Sequence, residues 1–297
     1  MSREVSPATG KPYGLKRVCG TLNVSRSTVY AQRKAALTPK ASPARRGPKP
    51  RITDEALLED IRTDLAASPF EGEGHRKVWA RLKFGKGLRV SRKRVLRLMR
   101  EHNLLSPYRK PQGQPKKHDG TISTDAPNVM WGTDGARVFT TDDGYGWIFV
   151  AVEHWNAECM GAHVCKKGNR MAALEPVAQG VLNQFGSVER GAARGLALRM
   201  DHGSQYLSDH FQNQIKAWGI APSLAFLKEP ETNGVAERFI RTLKEQAIYG
   251  RAFRNLEEVR QAVASFVELY NAQWRVEKNG MRTPHEMRAM HRLPEAA

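Results

Sequence analysis

Three carboxylates sit where solvation alone does not explain an acid. Asp134 falls inside the alternating run VMWGTDGARVFT, Asp201 closes the apolar run LALRM, and Glu237 opens a helical stretch just after Asn233-Gly234, with 35 residues separating it from Asp201. A strand interior, a strand end and a helix start can converge where a sheet edge meets a packed helix. Three acids gathered without matching cations do not stay ionised cheaply, so the pattern calls for divalent metal. Ligands that are all oxygen suit Mg²⁺ or Mn²⁺ rather than zinc. Two such ions are expected, because a pair can activate a water or hydroxyl and stabilise the leaving oxygen of a phosphodiester. Arg241 and Lys244 follow Glu237 at i+4 and i+7 on one helix face, placed to hold phosphates, with an ordinary ion pair between Glu237 and Arg241 as the competing explanation. His202, beside Asp201, is expected to act from behind the ligands.

Other acids have plainer explanations. Asp142 and Asp143 precede Gly144 in a hairpin turn, Asp209 reads as a helix N-cap, and Glu229 and Glu231 fall in a Pro-containing loop. The stretch Lys228 to Asn233 is expected to form a mobile loop over the site.

The elements that position these acids follow from periodicity. VMWGTDGARVFT, the Asp143-Gly144 turn and WIFVAVEHW predict a hairpin, and CMGAHVC a third strand. A helix is expected over 171–185, a strand over 195–200, a helix over 209–218, a strand over 221–227 and a long helix carrying Glu237. Residues 255–273 predict an amphipathic helix with an Asn255/Glu258 capping box and Val259, Val263, Phe266, Val267 and Tyr270 inward. This is a mixed α/β sheet with helices on its faces. Trp131 and Trp147 are expected in its core.

Upstream the pattern is helical. Residues 13–36 predict two short helices around Asn23-Val24, with Ser25 as N-cap and Arg26, Ser27 and Tyr30 outward. Residues 53–103 predict three more, the last capped by Ser91, with Val95, Leu98, Met99 and His102 buried. Arg92, Lys93, Arg97 and Arg100 supply its basic face, the last three as a stripe at i, i+4, i+7. Both units read as helix-turn-helix modules that can place a helix in a DNA major groove. Between them lies a basic Pro-rich linker whose Arg45 and Arg46 could follow a groove.

Composition narrows the class. The chain has 297 residues, 40% of them hydrophobic, enough for a sizeable core. The longest uncharged apolar run, Trp147 to Val152, is far too short for a membrane span. Charges at Arg3, Glu4, Lys11, Lys16 and Arg17 leave no apolar block for a secretory signal, so a cytoplasmic, nucleoid-associated protein is expected. Cys19, Cys159 and Cys165 match neither a disulfide framework nor a zinc site, and are expected as reduced thiols. The net charge of +18 is wholly upstream. Residues 1–120 hold 28 basic and 10 acidic residues, whereas 121–297 hold 20 of each. One part is built to hold a polyanion, double-stranded DNA being the commonest, and the other does something else.

The segments WGTD at 131–134, DHGSQY at 201–206 and NGVAERFIRTLKEQ at 233–246 resemble the D, D, E core of insertion-sequence transposases and retroviral integrases. The segment from Arg76 to Lys110 resembles the helix-turn-helix of OrfB-type enzymes of the insertion-sequence-three group. The resemblance implies a ribonuclease H-like fold, catalysis and metal binding by Asp134, Asp201 and Glu237, and cleavage and strand transfer at element ends. It also implies target DNA as a second substrate, a homo-oligomer on DNA and an upstream-frame transposase subunit as partner. The expected units are a short helix-turn-helix (1–36), a linker (37–51), a second helix-turn-helix (52–104), a linker (105–128), the catalytic core (129–250) and a C-terminal helical segment (251–297). Two departures stand out. Tyr270, Asn271, Arg275, Thr283 and Pro284 match the family's C-terminal pattern, but the Pro and His that follow its Arg are missing. Glu153, His154, Trp155 and Asn156 replace an Asp-containing stretch. They leave open an alternative, a catalytically inactive DNA-binding regulator of transposition.

Overall fold

The structure, a computed structural model, describes residues 3–37, 51–106, 124–225 and 233–292, in two compact units, Met1–Thr53 and Asp54–Ala297. Arg45, Arg46 and the linker cores lie outside the described residues, as does the stretch 226–232 with Glu229 and Glu231. Among the described residues no helix is long and apolar enough to cross a membrane.

The first unit holds helices α1 (Leu15–Thr21) and α2 (Arg26–Leu37). Asn23 turns between them at φ 51°, and the Val24 N–H closes the turn on the Cys19 carbonyl at 2.9 Å. The Ser25 hydroxyl pairs with Ser27 Oγ at 2.5 Å, while its carbonyl receives the first helical N–H groups. α2 buries no residue, and Arg26 and Tyr30 are exposed.

The second unit opens with α3 (Asp54–Ala67), α4 (His75–Phe84) and α5 (Arg92–Glu101), packed through Leu57, Ile61, Val78, Leu82, Val95, Leu98 and Met99. Ser91 caps α5 by accepting the Arg94 N–H at 3.2 Å. His102, expected in the buried face, is exposed: α5 ends at Glu101, and Asn103 at φ 55° turns the chain away.

The sheet comprises β1 (Met130–Thr140), β2 (Gly144–Glu153), β3 (Cys159–Cys165), β4 (Ala197–Met200) and β5 (Ala221–Leu224), in the order β3-β2-β1-β4-β5. The first three strands are antiparallel, and β4 and β5 run parallel to β1. With helices on both faces this is the ribonuclease H-like arrangement. One face packs Trp131, Phe149, Leu198 and Met200 against α6 (Arg170–Phe185) and α8 (Asp209–Ala217). β3 and α6 approach so closely that a Cβ at Gly161 would run into the Pro176 carbonyl. The other face packs Ala136, Val138, Ile148 and Val150 against α9 (Gly234–Leu243) and α10 (Leu256–Gln273). Asn255 caps α10 by accepting the Glu258 N–H at 3.0 Å, and Glu258 returns to the Arg254 N–H at 2.7 Å. Val267 is only half-buried. Trp131 is fully buried and Trp147 half-buried, stacked on Phe149. Ser208, not Asp209, caps α8, since its hydroxyl accepts the Phe211 N–H at 3.4 Å. The hairpin acid Asp143 does more than turn the chain, because it accepts the Leu256 N–H at 2.8 Å.

Helices α3–α5 dock on this sheet unit. Gln246 accepts the Glu71 N–H and donates to the Glu71 carbonyl, each at 3.0 Å. Phe70 meets Trp274 edge-on at 4.9 Å, and Arg76 pairs with Glu277 at 2.6 Å. The expected units 52–104, 129–250 and 251–297 thus share one compact body.

The residues retained from the C-terminal pattern are staples. Asn271 bonds both the N–H and the carbonyl of Cys159 at 2.9 Å, tying α10 to β3. Thr283 and Glu286 bond each other's backbone N–H groups as a capping box with Pro284 in the first turn, starting α11 (Pro284–Arg292). From α11, buried Arg288 reaches Glu158 and Glu153.

Candidate active site

Register brings the first two acids together. β1 pairs with β4 in parallel, Gly132 opposite Arg199, so Asp134 stands two residues further along β1 and Asp201 directly after the end of β4, where the two strands lie about 4.8 Å apart. Below them the WGTD and DHGSQY segments spend their other side chains on the fold. Thr133 Oγ1 donates to the Val150 carbonyl at 2.9 Å, and the Trp131 indole N–H to Glu153 at 3.1 Å. Asp201 Oδ1 accepts the Gly203 N–H at 2.9 Å, turning the chain into α7 (Ser204–Leu207). From α7 Tyr206 is fully buried against Phe149 and Phe211.

Glu237 comes from α9, whose Ala236, Phe239, Ile240 and Leu243 are buried, leaving Glu237 and Arg241 exposed. After α9 a π turn, Lys244–Ile248, continues the chain, and Lys244 is half-buried.

Electrostatics joins what register and packing bring near. Burial pushes the Asp134 carboxyl up to about 6, the neighbouring charges of Asp201 and Glu237 push in the same direction, and the Gly135 N–H and Lys244 oppose them. An all-carboxylate donor set of this kind fits a hard divalent cation. Among the described residues, no three His, Cys, Asp or Glu side chains are gathered closely enough, as they stand, to hold an ion. His202 is exposed beside Asp201.

The raised Asp134 value carries a prediction for the metal-free protein. A folded-state value of about 6 against 3.8 means that the folded form holds its proton more tightly, so stability falls as pH rises from about 3.8 to about 6. At pH 7 the cost is up to about 3 kcal/mol. In EDTA, Asp134→Asn is expected to melt several degrees above wild type at pH 8, with the gap closing toward pH 4. Equal melting at pH 8 would show that the three charges do not burden the fold.

On α5, Arg92, Lys93 and Arg100 are exposed, with Arg92 5.3 Å from the centre of the Trp79 ring. Arg97, expected at the middle of the basic stripe, is instead tied to Asp54 at 2.5 Å and to Glu101 at 2.8 Å. Asp54, which also holds Arg94 at 2.6 Å, explains the difference: an acid from α3 neutralises this part of α5.

The two departures from the family pattern meet in space. Lys278 donates to the His154 carbonyl, and Asn279 Nδ2 to the Asn156 carbonyl at 2.8 Å. Asn156 Nδ2 in turn donates to the Pro284 carbonyl at 3.0 Å. The altered segments at 153–156 and 276–282 are therefore bonded to each other and, through Asn156, to the retained Pro284 as one layer.

Two family models match parts of the chain. Residues 53–112 match the HTH-like domain family and residues 207–284 the integrase core domain family, the latter including Glu237 but neither Asp134 nor Asp201. An uncharacterized 48.2 kDa protein of insertion element IS2A from Escherichia coli is 26% identical over 82% of this chain and 57% of its own length. The transposase InsD of insertion element IS2A/D/F/H/I/K from Escherichia coli is 29% identical over 59% of this chain and 60% of its own. The chain thus spans about 60% of the length of these curated relatives. A chain of the simian T-cell lymphotropic virus intasome, solved in complex with PP2A regulatory subunit B56 gamma, aligns over 73% of this chain and 76% of its own, at 16% identity and a TM-score of 0.46. The chain is homologous to the InsD transposases.

Proposed function

From this homology we propose that the chain is a DDE-type transposase that cleaves phosphodiesters at insertion-sequence ends and transfers the freed strand to target DNA. The observation that supports the reading is that Asp201, just past the end of the strand parallel to β1, and Glu237 are both near enough to act on the Asp134 charge. Asp134, Asp201 and Glu237 would hold two Mg²⁺ or Mn²⁺ ions. Bound there, the ions supply a nucleophile activated at neutral pH and neutralise the charge on the leaving oxygen. Lys244, within the field of Asp134, and Arg241, one turn before it, would hold the DNA phosphates. The exposed cations of α5 and of α2 would grip the element end. His202 is read as supporting Asp201 from outside the ligand set. Assembly as a homo-oligomer on DNA, an upstream-frame partner subunit and the division of labour between residues 1–120 and 121–297 belong to the same proposal.

The rival, an inactive regulator, draws on the open spacing of the three acids. Against it stands the bonded layer at 153–156 and 276–282, which is built rather than decayed. A strand-transfer assay on the full chain with Mg²⁺ or Mn²⁺ separates the two: joined product from wild type and none from Glu237→Gln is expected. No product from either would favour the regulator, and equal product from both would take Glu237 out of the reaction.

The phosphate role has its own test. Each charge-assisted bond is worth about 1.5–3 kcal/mol, so changing Arg241 and Lys244 together to Glu is expected to slow strand transfer by ~10-fold or more. The melting temperature should move little compared with the loss of transfer, since Arg241 is exposed and Lys244 half-buried at the end of its helix. Normal transfer by the double variant would make this helix face structural.

A further inference from the structure

We propose that Asn233 is a positioning residue that locks the Glu237 helix onto the Asp134 strand, and that it thereby sets how tightly the site holds divalent metal. The inference rests on reading Asp134 and Glu237 as ligands of one metal site.

Asn233 immediately precedes α9 and is only 3% exposed. At this place an Asn side chain ordinarily accepts a helical N–H. Here it makes no capping bond, and its Nδ2 donates instead to the Thr133 carbonyl at 3.0 Å. Thr133 is the residue before Asp134, and Glu237 lies four residues after Asn233, one helical turn along α9. A single buried hydrogen bond therefore spans the backbones that present the two acids. The strand end of this bond is itself fixed, since Thr133 Oγ1 is bonded to the Val150 carbonyl of β2.

Gly132 shows how close the junction is. A Cβ there would lie 2.7 Å from Asn233 Oδ1, 3.0 Å from His154 Nε2 and 3.4 Å from the Ala236 Cβ. Only a glycine lets the start of α9 seat against β1 at this point, and Asn233 is the side chain that fills the space so left. The packing of α9 through Phe239 and Leu243 fixes its distance from the sheet but leaves sliding and rotation softer. The amide bond to Thr133 removes that freedom at the end where Glu237 stands. Ligands held in advance bind metal more tightly than ligands that must be ordered on binding.

The test uses the full chain and Mn²⁺ alone, followed by electron paramagnetic resonance at a temperature where each variant is folded by its melting curve. Asn233→Leu keeps nearly the same bulk and removes the donor. It is expected to bind Mn²⁺ ~10-fold more weakly, about the worth of one buried hydrogen bond. In cleavage it should need correspondingly more Mn²⁺ for half-maximal rate and recover most of the rate at saturation. Gly132→Ala, which pushes on the same contact from the strand side, should behave alike and decides the matter if Asn233→Leu does not fold. Adding Asn233→Leu to Glu237→Gln should weaken Mn²⁺ binding no further, because the amide acts through Glu237. A merely structural role predicts a lower melting point with unchanged Mn²⁺ affinity of the folded protein, and that result, or additive losses in the double variant, would overturn the proposal. If Glu237→Gln itself binds Mn²⁺ like wild type, the assignment of the ligands fails, whatever Asn233 does.

Discussion

Asp201→Asn is expected to reduce end cleavage by ~10²-fold or more while leaving DNA binding intact. A metal-activated nucleophile and a neutralised leaving oxygen together supply several kcal/mol of barrier lowering, and each 1.4 kcal/mol is about tenfold in rate. The substitution is nearly isosteric. Asn keeps an acceptor for the Gly203 N–H, so the turn into α7 and the burial of Tyr206 survive, and the loss cannot be blamed on the fold. The same size of loss is expected for Asp134→Asn and Glu237→Gln, with one contrast: Asp134→Asn should lose activity while gaining stability without metal, because it removes a desolvated charge that its neighbours oppose. Rates should be taken from gel assays on a labelled element end at saturating Mg²⁺. Cleavage within a few-fold of wild type by any of the three variants would take that acid out of the reaction.

The acids and their elements were legible because each signal is local. Alternation around Asp134, the apolar run ending at Asp201 and the helical period after Glu237 are written in consecutive residues, and the strands and helices fall close to where periodicity predicts them. Capping was legible in part: Ser91 and Asn255 act as caps, whereas Ser208 takes the role expected of Asp209. Thr283-Pro284-His285-Glu286 likewise carries both a capping box and a Pro at the first helical position, and so announces α11. What local pattern cannot carry is pairing at long range. Nothing near Asn233 indicates a bond to Thr133, 100 residues away, and nothing near Gln246 announces its clasp of Glu71. Arg97 shows the same limit on a surface, where a helical wheel displays its charge but not the Asp54 that neutralises it. The departures at 153–156 and 276–282, read singly, look like decay. Only their mutual hydrogen bonds show them to be one layer.

The charge asymmetry leads to the remaining expectation, that binding of the full chain to duplex DNA is metal-independent and falls ~10³-fold or more between 50 and 200 mM salt if six to ten phosphates are neutralised, as counterion release requires. The excess of basic residues lies within 1–120 and none of it within 121–297, so the slope should come from the upstream helices and not from the acid-bearing site. α3–α5 dock on the core through Phe70, Arg76 and Glu71, so severing the chain near residue 120 would uncover apolar surface and confuse the measurement. Substitutions in the intact chain avoid this. Changing Arg92, Lys93 and Arg100 together to Ala should lower the salt slope by about 2.7, at about 0.9 per phosphate contact, and leave cleavage of bound DNA unaffected once protein is in excess. Arg97→Ala should change the slope little, because Asp54 and Glu101 already occupy its guanidinium, and should instead lower stability by loosening α5 from α3. Fluorescence anisotropy at a series of salt concentrations gives both slopes. Equal slope losses from Arg97 alone and from the exposed triple would show that Asp54 releases Arg97 to DNA, and an unchanged slope in the triple would move the DNA grip off α5 altogether, onto α2 or onto the Arg241 and Lys244 face.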